Sequence, residues 1–137
     1  MKFFSKLPLE LLLVLLALVL ILSGCSAQEG NVTWEQISVE EAIELMDSEE
    51  GYVILDVRRA DEFASGHIPG AVNLANEIIG EDDAAVETVL PEKDQLILVY
   101  CRSGNRSKQA SEKLADMGYT QIKEFGGILD WPGEIEY

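Results

Sequence analysis

The sequence predicts a small α/β domain with a mostly parallel central sheet flanked by helices. The chain has 137 residues, which is enough for one domain. Residues 52–57 and 96–100 are apolar runs closed by charged or turn-forming residues, as is typical of strands that are covered on both faces. Segments with a helical pattern alternate with these strands, which is the order found in α/β domains.

A short strand over residues 34–37 and a helix precede the first apolar run. Ser38 and Glu41 have the spacing of a capping box, which predicts that the helix begins at Ser38. This helix has one apolar side, formed by Ala42, Ile43, Leu45 and Met46.

The other elements are predicted by the same patterns and by turn residues. Between the apolar runs we expect a helix over 60–65, a turn at 68–70, a short strand over 71–74 and a helix over 76–89, whose acidic cluster at 81–83 faces water. After the second run we expect a helix over 105–117, stopped by Gly118, and a last strand over 121–125.

The beginning of the chain predicts a targeting segment. Lys2 and Lys6 precede an unbroken apolar run over residues 11–22, followed by Ser23, Gly24 and Cys25. This ending resembles the lipobox of bacterial lipoproteins. The resemblance implies that residues 1–24 are removed and that Cys25 is lipidated. Residues 25–32 would then be a tether, and residues 33–137 the domain.

An uncleaved membrane helix is the alternative interpretation of this segment. Twelve strictly apolar residues fall short of the ~20 that span a bilayer, and the cysteine stands where the run ends, which favours the lipoprotein. In both cases the domain would lie at the extracytoplasmic face of the cell membrane. The segment 1–24 contains two lysines and one glutamate, so its removal changes the net charge from −15 to −16.

So acidic a surface is unsuited to nucleic acid and to anionic lipid, and it keeps an exported domain soluble. The chain has two cysteines. If Cys25 carries lipid, Cys101 has no disulfide partner in the chain, and a lone cysteine in an exported protein is either buried or used.

The surroundings of Cys101 favour a reactive cysteine. It ends the second apolar strand and precedes a helix, at the sheet edge where α/β proteins bind ligands. Ser103, Gly104 and Asn105 allow the backbone to curl and to point amides inward, which stabilises a thiolate. Arg102 and Arg106 add positive charge. A buried structural cysteine is the alternative, but it does not require two arginines and a glycine turn after it.

Three segments carry a resemblance to a known family. They are Leu55-Asp56-Val57-Arg58 continued by Glu62-Phe63 and Gly66-His67-Ile68-Pro69-Gly70-Ala71, then Cys101-Arg102-Ser103-Gly104-Asn105-Arg106-Ser107, and finally Gly126-Gly127 with Trp131. Their order and spacing resemble the single-domain rhodaneses, which are sulfurtransferases. The resemblance implies a small three-layer rhodanese-like domain.

The resemblance also implies the chemistry. Cys101 would alternate between thiolate and persulfide, taking sulfur from a small donor anion such as thiosulfate and passing it to a thiol acceptor, a protein thiol among the candidates, with no cofactor. Arg102 and Arg106 would hold the anionic donor and its leaving group, and the amides of the loop over residues 102–107 would surround the persulfide sulfur. Arg106 is also a candidate for a structural pair with a carboxylate, for which Asp56 is a plausible partner. An ion pair between Asp56 and Arg58 that fixes two loops is favoured over direct catalysis.

Several other functions compete with sulfur transfer. A cysteine phosphatase would have five residues between Cys101 and Arg106, whereas this loop has four. The tighter ring suits one sulfur atom better than a tetrahedral phosphate or arsenate, which also disfavours an arsenate reductase. A non-catalytic sulfur carrier or redox sensor would use the same cysteine without turnover. His67, the one histidine, lies in a turn that the family uses structurally, so a Cys–His hydrolase is disfavoured. Too few soft ligands are present for a metal site. Trp131 is interpreted as a core or lid residue.

Overall fold

A computed structural model describes residues 33–137, which form one sheet with helices on both of its faces. The sheet has five parallel strands in the order β1-β5-β4-β2-β3. The strands are β1 (Glu35–Gln36), β2 (Val53–Asp56), β3 (Val72–Asn73), β4 (Leu96–Cys101) and β5 (Gln121–Gly127). The predicted α/β fold with a parallel sheet is therefore confirmed.

Four α-helices connect the strands. They are α1 (Val39–Ser48), α2 (Ala60–Ala64), α3 (Asp83–Val89) and α4 (Asn105–Asp116), and a 3₁₀ turn over Ile128–Asp130 follows β5. Within residues 33–137, no helix has the length and apolar character needed to cross a membrane. The predicted signal peptide, the tether and Cys25 lie outside the described residues.

Strand β4 shows why the apolar runs become central strands. Its side chains alternate between two hydrophobic clusters, with Ile97 and Val99 on one face and Leu98 and Tyr100 on the other. All four are fully buried. Burial of each aliphatic side chain stabilises the fold by roughly 1.5–3 kcal/mol. A strand buried on both faces therefore needs a run without polar interruption, as the sequence has here.

The start of α1 confirms the predicted capping box. The Glu41 amide donates to Ser38 Oγ at 3.1 Å, and the Ser38 amide donates to Glu41 Oε2 at 2.7 Å. Two amides that the first turn leaves unpaired are thereby satisfied.

The predicted helix over residues 76–89 is wrong in its first half. Residues 76–81 form a turn, and α3 begins only at Asp83. Gly80 has φ +86°, a left-handed conformation that interrupts a helix. Asp82 then caps the new helix by accepting a hydrogen bond from the Ala85 amide at 3.0 Å. Gly80 and Asp82 are residue types that end and begin helices, but the helical spacing of their neighbours led to the prediction of one continuous helix.

Candidate functional site

Cys101 is the last residue of β4, and the loop that follows it lies at the carboxyl edge of the sheet. In the β4–β5 ladder Val99 pairs with Glu124, whereas Cys101 pairs with Gly127, so β5 contains a bulge. Gly126, within the bulge, has φ +92°. A bulge changes the direction of the strand and of its side chains. Here it brings the end of β5 beneath the cysteine loop.

The Cys101 sulfur is buried and surrounded by hydrogen-bond donors. The residue is 1 % exposed. The Gly104 amide donates to Sγ at 3.0 Å, and the Ser107 hydroxyl oxygen lies 3.4 Å from Sγ. Burial opposes ionisation of the thiol. Hydrogen bonds from the Ser107 side chain and backbone, and from the Gly104 and Ser103 amides, outweigh it and hold the pKa of Cys101 below its ordinary value.

Local backbone geometry explains how these donors converge. Gly104 has φ +103° and directly precedes α4, so the chain turns back and the first amides of the helix face the sulfur. Ser107, in the first turn of α4, is fully buried, and its Oγ lies 2.9 Å from the Gly104 carbonyl oxygen. Ser103 and Asn105 are exposed at the rim of the loop.

Arg106 forms an ion pair with Glu62 of α2 and not with Asp56, the partner that seemed plausible from the sequence. Its Nη1 and Nη2 donate to the Glu62 carboxylate at 2.6 and 2.9 Å. The Arg106 hydrogen bonds lower the pKa of Glu62 to about 2. Glu62 also accepts from the Arg59 amide at 3.1 Å. One carboxylate therefore caps α2 and joins that helix to the cysteine loop.

Arg102 is the arginine of the loop that stays open to solvent. It is exposed, and within residues 33–137 it forms no ion pair. Its carbonyl oxygen accepts from the Leu129 amide at 3.3 Å, so the backbone is fixed while the guanidinium remains free. Of the two predicted cationic side chains, Arg102 is therefore the one available to an incoming anion.

Asp56 and Arg58 form the expected structural ion pair. Arg58 Nη2 donates to Asp56 Oδ2 at 2.6 Å and to the Gly66 carbonyl oxygen at 2.7 Å. Both residues are buried. The pair therefore connects the end of β2 to the turn after α2. Burial, together with the Asp56 carboxylate, raises the pKa of the neighbouring Tyr100 hydroxyl.

His67 lies in a structural environment. Its ring stacks on Phe63 with centroids 3.8 Å apart, and Nδ1 is 3.0 Å from the Phe63 carbonyl oxygen. Its backbone pairs with Glu136 in an antiparallel bridge. No hydrogen bond joins it to Cys101 in the part of the chain that the structure describes.

Glu124 is a residue of the site that the sequence did not indicate. It is fully buried, and its Oε1 accepts from Ser107 Oγ at 2.5 Å and from the Gly126 amide at 2.8 Å. A charged residue at a core position of the last strand was the available signal, since an unpaired buried charge is costly.

The fold and the loop define a class of protein: a parallel α/β domain that holds a buried, low-pKa cysteine among the amides at the start of a helix. The model of the rhodanese-like domain family matches residues 38–134. The chain belongs to the rhodanese-like domain family.

Named relatives are consistent with this membership. The chain is 36 % identical over 76 residues to the thiosulfate sulfurtransferase PspE of Escherichia coli. The matched region covers 56 % of the chain and 70 % of PspE. It is 34 % identical over 114 residues to the putative sulfur carrier protein YrkF of Bacillus subtilis, covering 82 % of the chain and 59 % of YrkF. The chain covers less than two thirds of the length of several relatives, and about a quarter of the length of some of them.

A solved structure agrees in fold. The E. coli rhodanese with anions superposes with a TM-score of 0.56 at 32 % identity, covering 62 % of this chain and 96 % of that one. The predicted rhodanese-like fold is thereby confirmed.

Proposed function

We propose that the protein is a sulfurtransferase in which Cys101 carries sulfane sulfur as a persulfide. The observation that carries the proposal is the ring of donors around Cys101 Sγ, with the Gly104 amide at 3.0 Å and the Ser107 hydroxyl oxygen at 3.4 Å. Such a ring holds a thiolate and can equally hold the negative charge of a persulfide.

The chemistry follows in two steps. The Cys101 thiolate attacks the outer sulfur of the donor, the donor's sulfur–sulfur bond breaks, and the leaving group departs with the electron pair. For thiosulfate the leaving group is sulfite. A thiolate acceptor then attacks the outer persulfide sulfur, and Cys101 leaves as a thiolate. Two displacements at one cysteine predict ping-pong kinetics.

Two arginines have different parts in this proposal. Arg102 holds the anionic donor, since its guanidinium is exposed and makes no ion pair within residues 33–137. Arg106 fixes the loop through Glu62. Asp56 and Arg58 support the neighbouring turn and take no part in the chemistry.

The test is a thiosulfate:cyanide assay on the purified full-length chain. We expect thiocyanate to form with the wild type and not with Cys101→Ser, and Arg102→Ala to raise the KM for thiosulfate more than it lowers kcat. Circular dichroism checks that both variants are folded. Thiocyanate formation by Cys101→Ser at the wild-type rate would contradict the proposed role of the cysteine.

Sulfur carriage without turnover is the second candidate, and the resemblance to the putative sulfur carrier YrkF favours it. Both are distinguished from redox sensing by trapping the Cys101 adduct in protein taken directly from the cell envelope. Cyanide releases a sulfane sulfur but not oxygen, so release supports sulfur transfer or carriage, and an adduct that resists cyanide would support redox sensing. Turnover in the assay then separates enzyme from carrier.

We also propose that the domain is attached to the extracytoplasmic face of the membrane by lipid on Cys25, because a Leu-Ser-Gly-Cys sequence ends the apolar run. Mass spectrometry of the mature N-terminus should find acyl groups on Cys25. Detection of an intact Met1 would refute this.

A further inference from the structure

The carboxyl group of Glu124 lies under the cysteine loop in an unbalanced hydrogen-bond environment. Oε1 receives the Ser107 hydroxyl at 2.5 Å and the Gly126 amide at 2.8 Å. Oε2 is buried and has no hydrogen-bond partner among the described residues. Burial of a full negative charge here is costly, because half of the carboxylate lacks a donor.

No cation compensates Glu124. Within residues 33–137, no Lys, Arg or His lies within ion-pair distance of its carboxylate. The hydrogen-bond partners of the carboxylate are the Ser107 hydroxyl of α4 and the Gly126 amide of β5. The Glu124 carboxylate therefore lies unpaired and buried beside the Cys101 thiol, and simultaneous ionisation of both groups is disfavoured.

Ser107 connects the two groups. Its Oγ lies 2.5 Å from Glu124 Oε1 and 3.4 Å from Cys101 Sγ. A serine hydroxyl has one hydrogen to donate and two lone pairs. If the thiolate and the carboxylate were both ionised, they would compete for that hydrogen, and two negative charges would face the same oxygen in a buried site.

We propose that Cys101 and Glu124 share one proton through Ser107, and that Glu124 is a positioning residue that takes up the proton when the thiolate forms. In the thiol state, the Cys101 S–H donates to Ser107 Oγ, and the Ser107 O–H donates to Glu124 Oε1. When the S–H bond breaks, Ser107 Oγ receives that proton and passes its own to Glu124 Oε1. No electron is transferred to another group, and the site keeps one negative charge.

In both the thiol and the thiolate state, the Ser107 hydroxyl has one hydrogen-bond donor and one acceptor. In the thiolate state Ser107 donates to Sγ and accepts from the carboxylic acid. The Gly104 amide also donates to the thiolate. Arg106 adds positive charge: its pKa is raised mainly by the hydrogen bonds to Glu62 and, to a lesser degree, by the negative charge of Cys101. Among residues 33–137, Arg106 is therefore linked electrostatically to Cys101, whereas Glu124 forms no ion pair.

This inference rests on Cys101 as the reactive group, but its test needs no sulfur donor. Two groups that share a proton titrate as a pair, in two macroscopic steps. We expect the ultraviolet absorbance of the Cys101 thiolate to rise in two steps with pH in the full-length chain carrying Cys25→Ser, which removes the second thiol and is the background for all variants. Glu124→Gln, which cannot accept a proton, should give one step. Glu112→Gln removes an exposed glutamate of α4 and should keep two steps.

A second variant removes the Ser107 hydroxyl that connects the two groups. Ser107→Ala should abolish the coupling, giving one step, and should slow alkylation of Cys101 by iodoacetamide at neutral pH by roughly tenfold, which is the effect of a shift of one pKa unit. A structural role of Ser107 alone would leave the shape of the titration unchanged.

A measurement on the unmodified site keeps the proposal testable if Glu124→Gln does not fold. Infrared difference spectra at neutral pH should contain a protonated buried carboxyl in the wild type that is absent from Cys101→Ser, where no neighbouring thiolate charge disfavours the ionised carboxylate. A single-step titration of the wild type, or a carboxyl signal that is the same in both proteins, would overturn the proposal. Loss of sulfur transfer with a retained two-step titration would count against the proposed function alone.

Discussion

Gly127 offers the sharpest perturbation of the cysteine loop. Its backbone is extended, with φ −141°, so an alanine would meet no conformational penalty there. The limit is space. A Cβ at this position would lie 2.0 Å from the Arg102 carbonyl oxygen and 2.6 Å from the Ser103 amide nitrogen. To reach a 3.4 Å van der Waals contact, the oxygen would have to retreat by about 1.4 Å.

Gly127→Ala should therefore displace the residues that hold the Cys101 sulfur. Overpacking against backbone costs ~1–3 kcal/mol of unfolding free energy. A shift of about 1 Å at a reacting group can reduce turnover by about 100-fold. We expect thiocyanate formation to fall by about that factor while the protein remains folded, as followed by the thiosulfate:cyanide assay and by urea unfolding.

Gly118→Ala is the matched control. Gly118 follows α4 with φ +91° and has no neighbouring atom within 4 Å of an added Cβ. An alanine there costs ~1–2 kcal/mol through its left-handed backbone alone. The two variants should therefore lose similar stability and differ in activity. If Gly127→Ala keeps more than half of the wild-type turnover, the contact between β5 and the loop does not set the geometry of the cysteine.

Two further predictions concern the residues that cap the starts of α2 and α1. Glu62→Gln removes the partly exposed ion pair with Arg106 and should lower the unfolding free energy by ~1 kcal/mol at pH 7. Because folding lowers the pKa of Glu62 from 4.5 to about 2, this stabilisation is complete above pH 4.5 and is lost as the pH falls toward 2. Urea midpoints of the two proteins should converge below pH 4.5, and a constant difference would contradict the linkage. Ser38→Ala should cost ~1 kcal/mol in thermal unfolding by removing the cap of α1. Glu41→Gln keeps a side chain that can complete the capping box and should cost less, and an equal loss would refute this account.

Most of the fold could be predicted because local signals agreed with the tertiary structure. The buried run at residues 96–100 became β4, and the Ser38 capping box begins α1. Prediction failed where periodicity outweighed a turn residue. The left-handed Gly80 ends the turn before α3, although its neighbours have helical spacing.

The sequence predicted that Cys101 ends a strand and precedes a helix, and the structure has it there, because local residues determine this position. Gly104 and the first turn of α4 lie within six residues of the cysteine, so the pattern alone indicated the ring of amides. Arg106 was harder to pair, because α2 and β2 both bring carboxylates to this edge of the sheet. Glu124 was missed, because its charge in the last strand is a weak signal and only the register and bulge of β5 bring it beneath the loop.

The bulge in β5 has a consequence for the order in which the protein acquires its chemistry. Residues 124–127 follow Cys101 by more than twenty positions, and parallel pairing of β4 with β5 requires α4 to be in place between them. Contacts of this separation form late, because the closure of the intervening chain must come first. A growing or partly folded chain therefore lacks the β5 backbone that packs closely against residues 102–104. We expect the Ser103, Gly104 and Ser107 donors, which lower the pKa of Cys101, to be held in place only after the last strand has joined the sheet.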